Sequence, residues 1–396
     1  MLTAAPAETP SVPLGEDYAD IRETIRAICE NFPGSYWREK ERLEEYPEEF
    51  VQELTKTGFL AALIPEEYGG SGLPLRAACV ILEEIHASGC NAGACHAQMY
   101  IMGTLLRHGS EEQKQRWLPG IADGSLRLQA FGVTEPTTGT DTTQLKTRAV
   151  RDGEHYVVHG QKVWISRALK SDLMLLLART TPPDQVKKRS EGLSVFVVDI
   201  RDSIGKGMEI RKLDAAINHL TTEIFFDGLR IPAENLIGEQ DQGFRYILDG
   251  MNAERILVAS ECIGDSRYFI RRATAYANER IVFDRPIGKN QGVQFPIARA
   301  YSEYRAADLM NRTAAALFDA GLPCGEEANL AKMMSAEASF KAGDTAMQTF
   351  GGFSFSREYD IERKWRETRI MQIAPVSTNL ILSYIAQHVL GLPRSF

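Results

Sequence analysis

At 396 residues the chain has room for two or three domains, and its 44% hydrophobic and 25% charged residues suit an ordinary globular protein. A formal net charge of −8 argues against nucleic acid as the principal partner, because a phosphate backbone calls for a basic face. The six cysteines (Cys29, Cys79, Cys90, Cys95, Cys262, Cys324) form no CxxC pair and the seven histidines no HExxH spacing; no metal site is expected, and reduced thiols in a cytoplasmic compartment are.

In chain order, residues 1–16 carry Pro, Ala and acids with neither a basic nor an apolar block, and read as a disordered leader rather than a signal peptide. Residues 17–126 form a helical domain. "DIRETIRAICENF", "EEFVQELTKTGFLAAL", "LRAACVILEEIHAS" and "SEEQKQRWLPGIADG" repeat apolar residues at i, i+3, i+4, and Ser110 with Gln113 offers a capping box. "IPEEYGGSGLP" between them reads as a turn, since it lacks the spacing of a phosphate loop. Residues 127–238 switch to period 2 in "HYVVHGQKVWIS", "LMLLLART", "LSVFVVDI" and "TTEIFFDGLRIP". Polar turns without helices separate these runs, so an antiparallel β-barrel or sandwich is expected. Residues 239–396 return to helical period and predict a four-helix bundle. The fold class is α+β multi-domain, and no run approaches 18 apolar residues, so no segment should span a membrane.

The β domain opens on "FGVTEPTTGTDTT", Phe131 to Thr143, whose hydroxyls and glycines suit a polar ring edge or a pyrophosphate. Equally, it could be a strand running into a turn. Trp164 in "HGQKVWIS" is by default a core residue. It is the ordered set of motifs that decides the matter. "VTEPTTGTD" resembles the TEPxxGSD signature of the acyl-CoA dehydrogenase family, with Thr140 for Ser. "HGQKVWIS" is similar to that family's NGxKxWIT, with Ser166 for Thr. "ERIVFDRPIGKNQGVQFPIA" resembles ERxxFGxPIxxxQxxxFxLA, with Asp284 for Gly, and "QTFGGFSFSREYDIERKWRETRI" resembles QxxGGxGYxxExxxERxxRDARI. The resemblance covers nearly the whole chain, from about Asp17 to His388.

That resemblance implies an acyl-CoA dehydrogenase-like fold and a homotetramer holding FAD at subunit boundaries. It places Phe131, Val133, Thr134, Gly139, Thr140, Trp164 and Ser166 around the flavin ring. Arg280, Phe283, Gln291, Gln348, Gly351 and Gly352 would hold the adenine and pyrophosphate end, largely of a neighbouring subunit's cofactor, and Ser377 and Asn379 would also touch FAD. Arg280 read alone would be a solvated helix residue, whereas a fixed guanidinium fork suits a phosphate.

The family reaction is α,β-desaturation of an acyl-CoA, in which a carboxylate takes the α proton and the β hydrogen leaves as hydride to flavin. Most members carry that base in an "IYEGT" segment, where this chain has "IAPVS" and Pro375 stands at the Glu position. The isovaleryl-CoA and long-chain types carry it on an earlier helix, in a context resembling "LDLER"; here "GMNAER" puts Glu254 there. Met251, Glu254 and Val258 share one helical face, where a carboxylate is either functional or paired with a cation, such as an Arg at a subunit contact. The resemblance also implies Arg255 and Gln98 as acyl-CoA contacts, with His96 a packed residue. Arg255 could instead form an intersubunit ion pair. Glu135 is expected to be structural, and Glu362 and Glu367 to lie on a solvated or salt-bridged face. The expected activity is FAD-dependent dehydrogenation of an acyl-CoA in fatty-acid or branched-chain catabolism, with an electron-transfer flavoprotein as electron partner. An acyl-CoA oxidase or desulfinase-like enzyme of the same fold and an inactive acyl-CoA-binding homologue stand as alternatives.

Overall fold

The computed structural model describes residues 13–394, so the expected leader lies, up to residue 12, outside the described residues. Six helices come first: α1 (Ala19–Glu30), α2 (Gly34–Leu43), α3 (Glu48–Lys56), α4 (Leu75–Ala87), α5 (Gly93–His108) and α6 (Glu111–Asp123). The capping box at α6 is formed, with Ser110 Oγ accepting from the Gln113 amide and the Gln113 side chain accepting from the Ser110 amide. The "IPEEYGGSGLP" segment is a turn, as expected. A Cβ on Gly70 there would stand 2.0 Å from the Ile64 carbonyl oxygen, so only glycine fits.

The strands are β1 (Leu128–Gly132), β2 (Arg148–Asp152), β3 (His155–Ser166), β4 (Leu173–Arg179) and β5 (Leu193–Asp199), then, after the short α7 (Ile200–Ser203), β6 (Met208–Lys212) and β7 (Thr221–Pro232). They form a seven-stranded sheet in the order β1-β4-β2-β3-β7-β6, with β5 also on β4. The pairing is antiparallel wherever short turns join neighbours. It is parallel between β1 and β4 and at the Arg148–Arg179 contact of β2 with β4, so the sheet is mixed rather than purely antiparallel. Its core packs Tyr156, Val158, Phe196, Ile224, Phe226 and Ile231.

Three long helices follow: α8 (Gly243–Glu279), α9 (Gln291–Asp319) and α10 (Gly325–Phe350). A hairpin of β8 (Ile281–Val282) and β9 (Arg285–Pro286) joins α8 to α9, and the shorter α11 (Ile361–Arg369) and α12 (Thr378–Tyr384) close the chain. Tyr268, Phe269, Ala300, Ala342, Phe350 and Ile361 form a core among α8, α9, α10 and α11. The chain divides into two compact units. One takes the chain up to Glu39, Pro74–Ala92 and everything from Asn252; the other takes Lys40–Leu73 and Gly93–Met251.

The charged run at α11 turns half inward. Arg363 and Lys364 are buried, Lys364 Nζ lying 2.7 Å from Asp265 Oδ1 and 3.1 Å from Glu367 Oε2, while Arg363 Nη1 donates to Glu367 Oε1 at 2.9 Å. Burial pushes the Glu367 carboxyl up, but Arg363 and Lys364 outweigh it and hold it at about 2. Glu362 stays at the surface side with Arg366, 2.8 Å away.

The β8–β9 hairpin is closed by only two residues, Phe283 and Asp284, at φ 53° and 61°. Both signs are those of a type I′ turn, which costs least at glycine. Asp284→Gly is therefore expected to stabilise the protein by roughly 0.5–1 kcal/mol, after allowing for glycine's greater unfolded-state entropy. A denaturant midpoint that stays put or falls would show that the Asp284 side chain contributes more than its backbone costs.

Candidate active site

In the sheet unit, β1 delivers Phe131 to an edge where its ring meets Tyr100 edge-on at 5.8 Å, and Tyr100 stacks on His96 at 5.8 Å. The chain beyond β1 is pinned from beneath. Buried Lys162 on β3 donates to the Val133 carbonyl at 3.0 Å and to Glu135 Oε1 at 2.9 Å. Glu135 also accepts the amides of Lys146 at 2.6 Å and Thr147 at 2.9 Å. Burial raises the Glu135 carboxyl, but Lys162 and these amides bring it below the usual carboxylate range. The Val163 amide closes the ring of contacts on the Thr134 carbonyl at 2.9 Å. Glu135 is thus the structural residue expected, and Phe131, Val133 and Thr134 form a rigid half-buried ledge. Gly139 and Thr140 continue it as exposed loop.

Trp164 departs from the core position that a strand tryptophan takes by default. The β3–β7 register slips between Lys162 and Ile165, and within that bulge Trp164 adopts φ 62° and is 62% exposed. A bulge re-aims a side chain by adding an unpaired residue. Strained backbone that displays a large aromatic is characteristic of ligand-binding surfaces. Ser166, at the end of β3, is half-buried. Gln98 is fully buried on α5, its amide nitrogen 3.5 Å from the Ile121 carbonyl.

In the helical unit a cleft of about 480 Å³ opens between the end of α8 and the end of α10. Arg280, Gln348, Gly351 and Gly352 all line it, with Tyr276, Thr349 and Phe353. Phe283 and Gln291 do not line it; Phe283 stands 94% exposed at the hairpin tip, and Gln291 opens α9 in solvent. Arg280 lies 5.7 Å from the Phe353 ring and pairs with no carboxylate among the described residues. Gly351 adopts φ 57° and ψ −134°, which only glycine tolerates, and no atom lies within 4 Å of where its Cβ would be. An unpaired guanidinium beside bare glycine backbone suits a pyrophosphate, so these residues fit the dinucleotide end of FAD. The exposed Trp164 and the ledge beside it likewise suit a planar ring.

On α8, Glu254 is 4% exposed, with Val258 buried and Met251 half-buried along the same helical face. Arg255 is half-buried and donates through Nη1 to Asn252 Oδ1 at 2.9 Å, while its Nε makes no hydrogen bond. Burial lowers the Arg255 pKa, and Glu254 and Tyr384 pull it back up. Lys332 on α10 is fully buried, donates to the Val376 carbonyl at 2.5 Å, and feels the charges of Glu254 and Arg255. Pro375 precedes that carbonyl in a cis Ala374–Pro375 peptide. Ser377 is occupied in capping α12, its Oγ accepting the Leu380 amide, and Asn379 is exposed in the first turn. Asp249, the other nearby acid, is exposed and faces His108 in the sheet unit.

Two residues escaped the sequence reading, Lys162 and Lys332. Both carried a signal: Lys162 shares the inward phase of Tyr156 and Val158 on β3, and Lys332 interrupts a face of small residues with Ala328, Ala331, Ser335 and Ser339, all buried. No group of three or more potential metal ligands occurs among the described residues. Among them, too, no helix is long and apolar enough to cross a membrane.

Comparison with known proteins agrees with the order of helical, sheet and helical segments. Three family models match in order: acyl-CoA dehydrogenase N-terminal domain over residues 15–125, middle domain over 130–229 and C-terminal domain over 241–390. Acyl-CoA dehydrogenase FadE12 of Mycobacterium tuberculosis is 35% identical over 384 residues, covering 96% of this chain and 98% of its own. Cyclohex-1-ene-1-carbonyl-CoA dehydrogenase of Syntrophus aciditrophicus is 34% identical over 340 residues, covering 85% and 80%. The solved glutaryl-coenzyme A dehydrogenase in complex with glutaryl-CoA superposes with a TM-score of 0.89 at 29% identity, covering 98% of each chain. With its helical, sheet and helical segments in the family's order, and relatives of this kind along almost its full length, the chain belongs to the acyl-CoA dehydrogenase family of flavoprotein oxidoreductases.

Proposed function

We propose that this protein binds FAD and desaturates an acyl-CoA thioester between its α and β carbons, with Glu254 as the base for the α proton. The observation that carries the reading is the buried Glu254 carboxylate on α8, in a chain whose late loop offers Pro375 where most relatives by motif would place a glutamate. An α proton beside a thioester is weakly acidic, so its removal calls for a carboxylate within hydrogen-bond reach and a site that tolerates enolate-like charge. Burial suits the first need, since a carboxylate with little water around it is a stronger base toward a nearby carbon acid. Arg255 and Lys332 suit the second by supplying positive charge close to Glu254. FAD, when bound, supplies the two-electron acceptor for the β hydrogen.

Placement and motif together support the following roles for the chain's own groups. Phe131, Val133, Thr134, Trp164 and Ser166 support the ring, and Arg280, Gln348, Gly351 and Gly352 hold the dinucleotide end, largely of a neighbouring subunit's cofactor. Arg255 contacts the thioester or pantetheine. A base on this helix matches the isovaleryl-CoA and long-chain branch, which favours a branched or bulky acyl group. The reading also includes a cytoplasmic homotetramer that passes its electrons to an electron-transfer flavoprotein.

The test is anaerobic titration of the FAD-loaded protein with straight and branched acyl-CoAs. At least one branched or long substrate should bleach the flavin absorbance, without peroxide formation when the experiment is repeated in air. A flavin that stays oxidised with every acyl-CoA would defeat the reading, and stoichiometric peroxide would make the enzyme an oxidase.

A further inference from the structure

The late loop has lost a titratable group at Pro375, yet a charged group stands directly beneath it. Lys332 is 0% exposed and projects from the small-residue face of α10, and its ammonium donates to the Val376 carbonyl at 2.5 Å. Burying an ammonium strips it of water at a large cost, and a methionine would fill the same space without that cost. Tethering one carbonyl is weak compensation, since a single hydrogen bond returns only part of what desolvating the charge costs. The charges facing Lys332 come from α8: Glu254 attracts it, Arg255 repels it, and Cys262 lies beside it, a thiol that burial pushes up and that faces Asp265 and Glu261.

We infer that Lys332 is a positioning residue for proton abstraction: it fixes the Pro375–Ser377 loop through the Val376 carbonyl and supplies positive potential to the Glu254 carboxylate. This rests on the reading of Glu254 as the base. The attraction is mutual, so the field that makes Lys332 easier to protonate makes Glu254 easier to ionise. Burial nonetheless lowers the ammonium to about 8, within the range over which an enzyme can be assayed. The native state then binds fewer protons than the unfolded chain between about pH 8 and the ordinary lysine value near 10.4, so stability gains with pH across that window.

The experiment compares the parent with Lys332→Met and Lys332→Arg, following flavin reduction by a reactive acyl-CoA and thermal unfolding, each from pH 6 to 10. In Lys332→Met the acidic limb of the reduction rate should move upward by about one pH unit, so that at a fixed pH on that limb the rate falls roughly tenfold, while flavin content is kept. Lys332→Arg should hold the acidic limb near the parent's and abolish the parent's alkaline limb near pH 8, because a guanidinium does not lose its proton there. The parent's unfolding temperature should rise from pH 8 to 10 relative to that of either variant. An acidic limb and rate unchanged in Lys332→Met overturn the proposal. If Lys332→Met does not fold, the Lys332→Arg profile decides: an alkaline limb that persists unchanged there overturns it equally. The two readings fail separately. Glu254→Gln reducing flavin at the parent rate removes the base assignment, whereas a slow Glu254→Gln beside a parent-like Lys332→Met removes only the role of Lys332.

Discussion

Glu254→Gln is expected to keep its flavin and to reduce it about 10²–10⁴-fold more slowly than the parent with the same acyl-CoA, the usual weight of a general base. The substitution keeps volume and hydrogen-bonding capacity, so a side chain that only packs or pairs would lose little rate. Glutamine accepts no proton, so the carbon acid has nowhere to send its own. Stopped-flow reduction under anaerobic conditions separates this step from reoxidation. Substrate binding, read from the spectral shift of oxidised flavin, should change far less than the rate, because the lost interaction is made mainly in the transition state. A parent-like reduction rate would sink the assignment.

The second large effect concerns stability. Lys162→Met is expected to destabilise the sheet unit by about 3–5 kcal/mol at neutral pH, because it strands the Glu135 carboxylate in a dry site. The two backbone amides on Glu135 remain, but they do not replace a full opposite charge. Adding Glu135→Gln to Lys162→Met should recover much of the loss, since neutralising both partners removes the stranded charge. The pH dependence has a definite sign. The Glu135 carboxyl lies below its unfolded value, so the pair's contribution is complete above about pH 4.3 and is lost as pH falls through the lower folded value. The gap between parent and Lys162→Met should therefore narrow in acid. A gap that is constant with pH would mean the lysine contributes by packing alone.

Strands β3 and β7 begin and end where the alternation of "HYVVHGQKVWIS" and "TTEIFFDGLRIP" says they should, because turn residues bracket both and one face of each is buried. Helix α2 escaped notice because "GSYWREKERL" buries only Trp37, too few apolar positions to mark a period. Helix α5 escaped for the opposite reason: most of its residues are buried, which erases the contrast between faces that a period depends on. The same limit applies at the site. Arg280, Gln348 and the glycine pair were legible as a motif and meet in one cleft. The outward turn of Trp164 was hidden, since a register slip depends on the partner strand and leaves no trace in local alternation. Lys364 lies in a run whose charges are ordinarily outside; its burial depends on Asp265, which lies far off in sequence.

One element sets a distance in this protein. Glu254 lies near the start of α8 and Arg280 directly after its end, with uninterrupted helix between them, a separation of roughly 39 Å at 1.5 Å per residue. The residue proposed for proton chemistry and the residue suited to phosphate are therefore two marks on one ruler. Loop lengths can drift without altering that gauge, but a single residue inserted between the marks would swing one against the other by about 100°. Acyl preference can change around such a helix through side chains alone, while the helix's own length is the dimension least free to change.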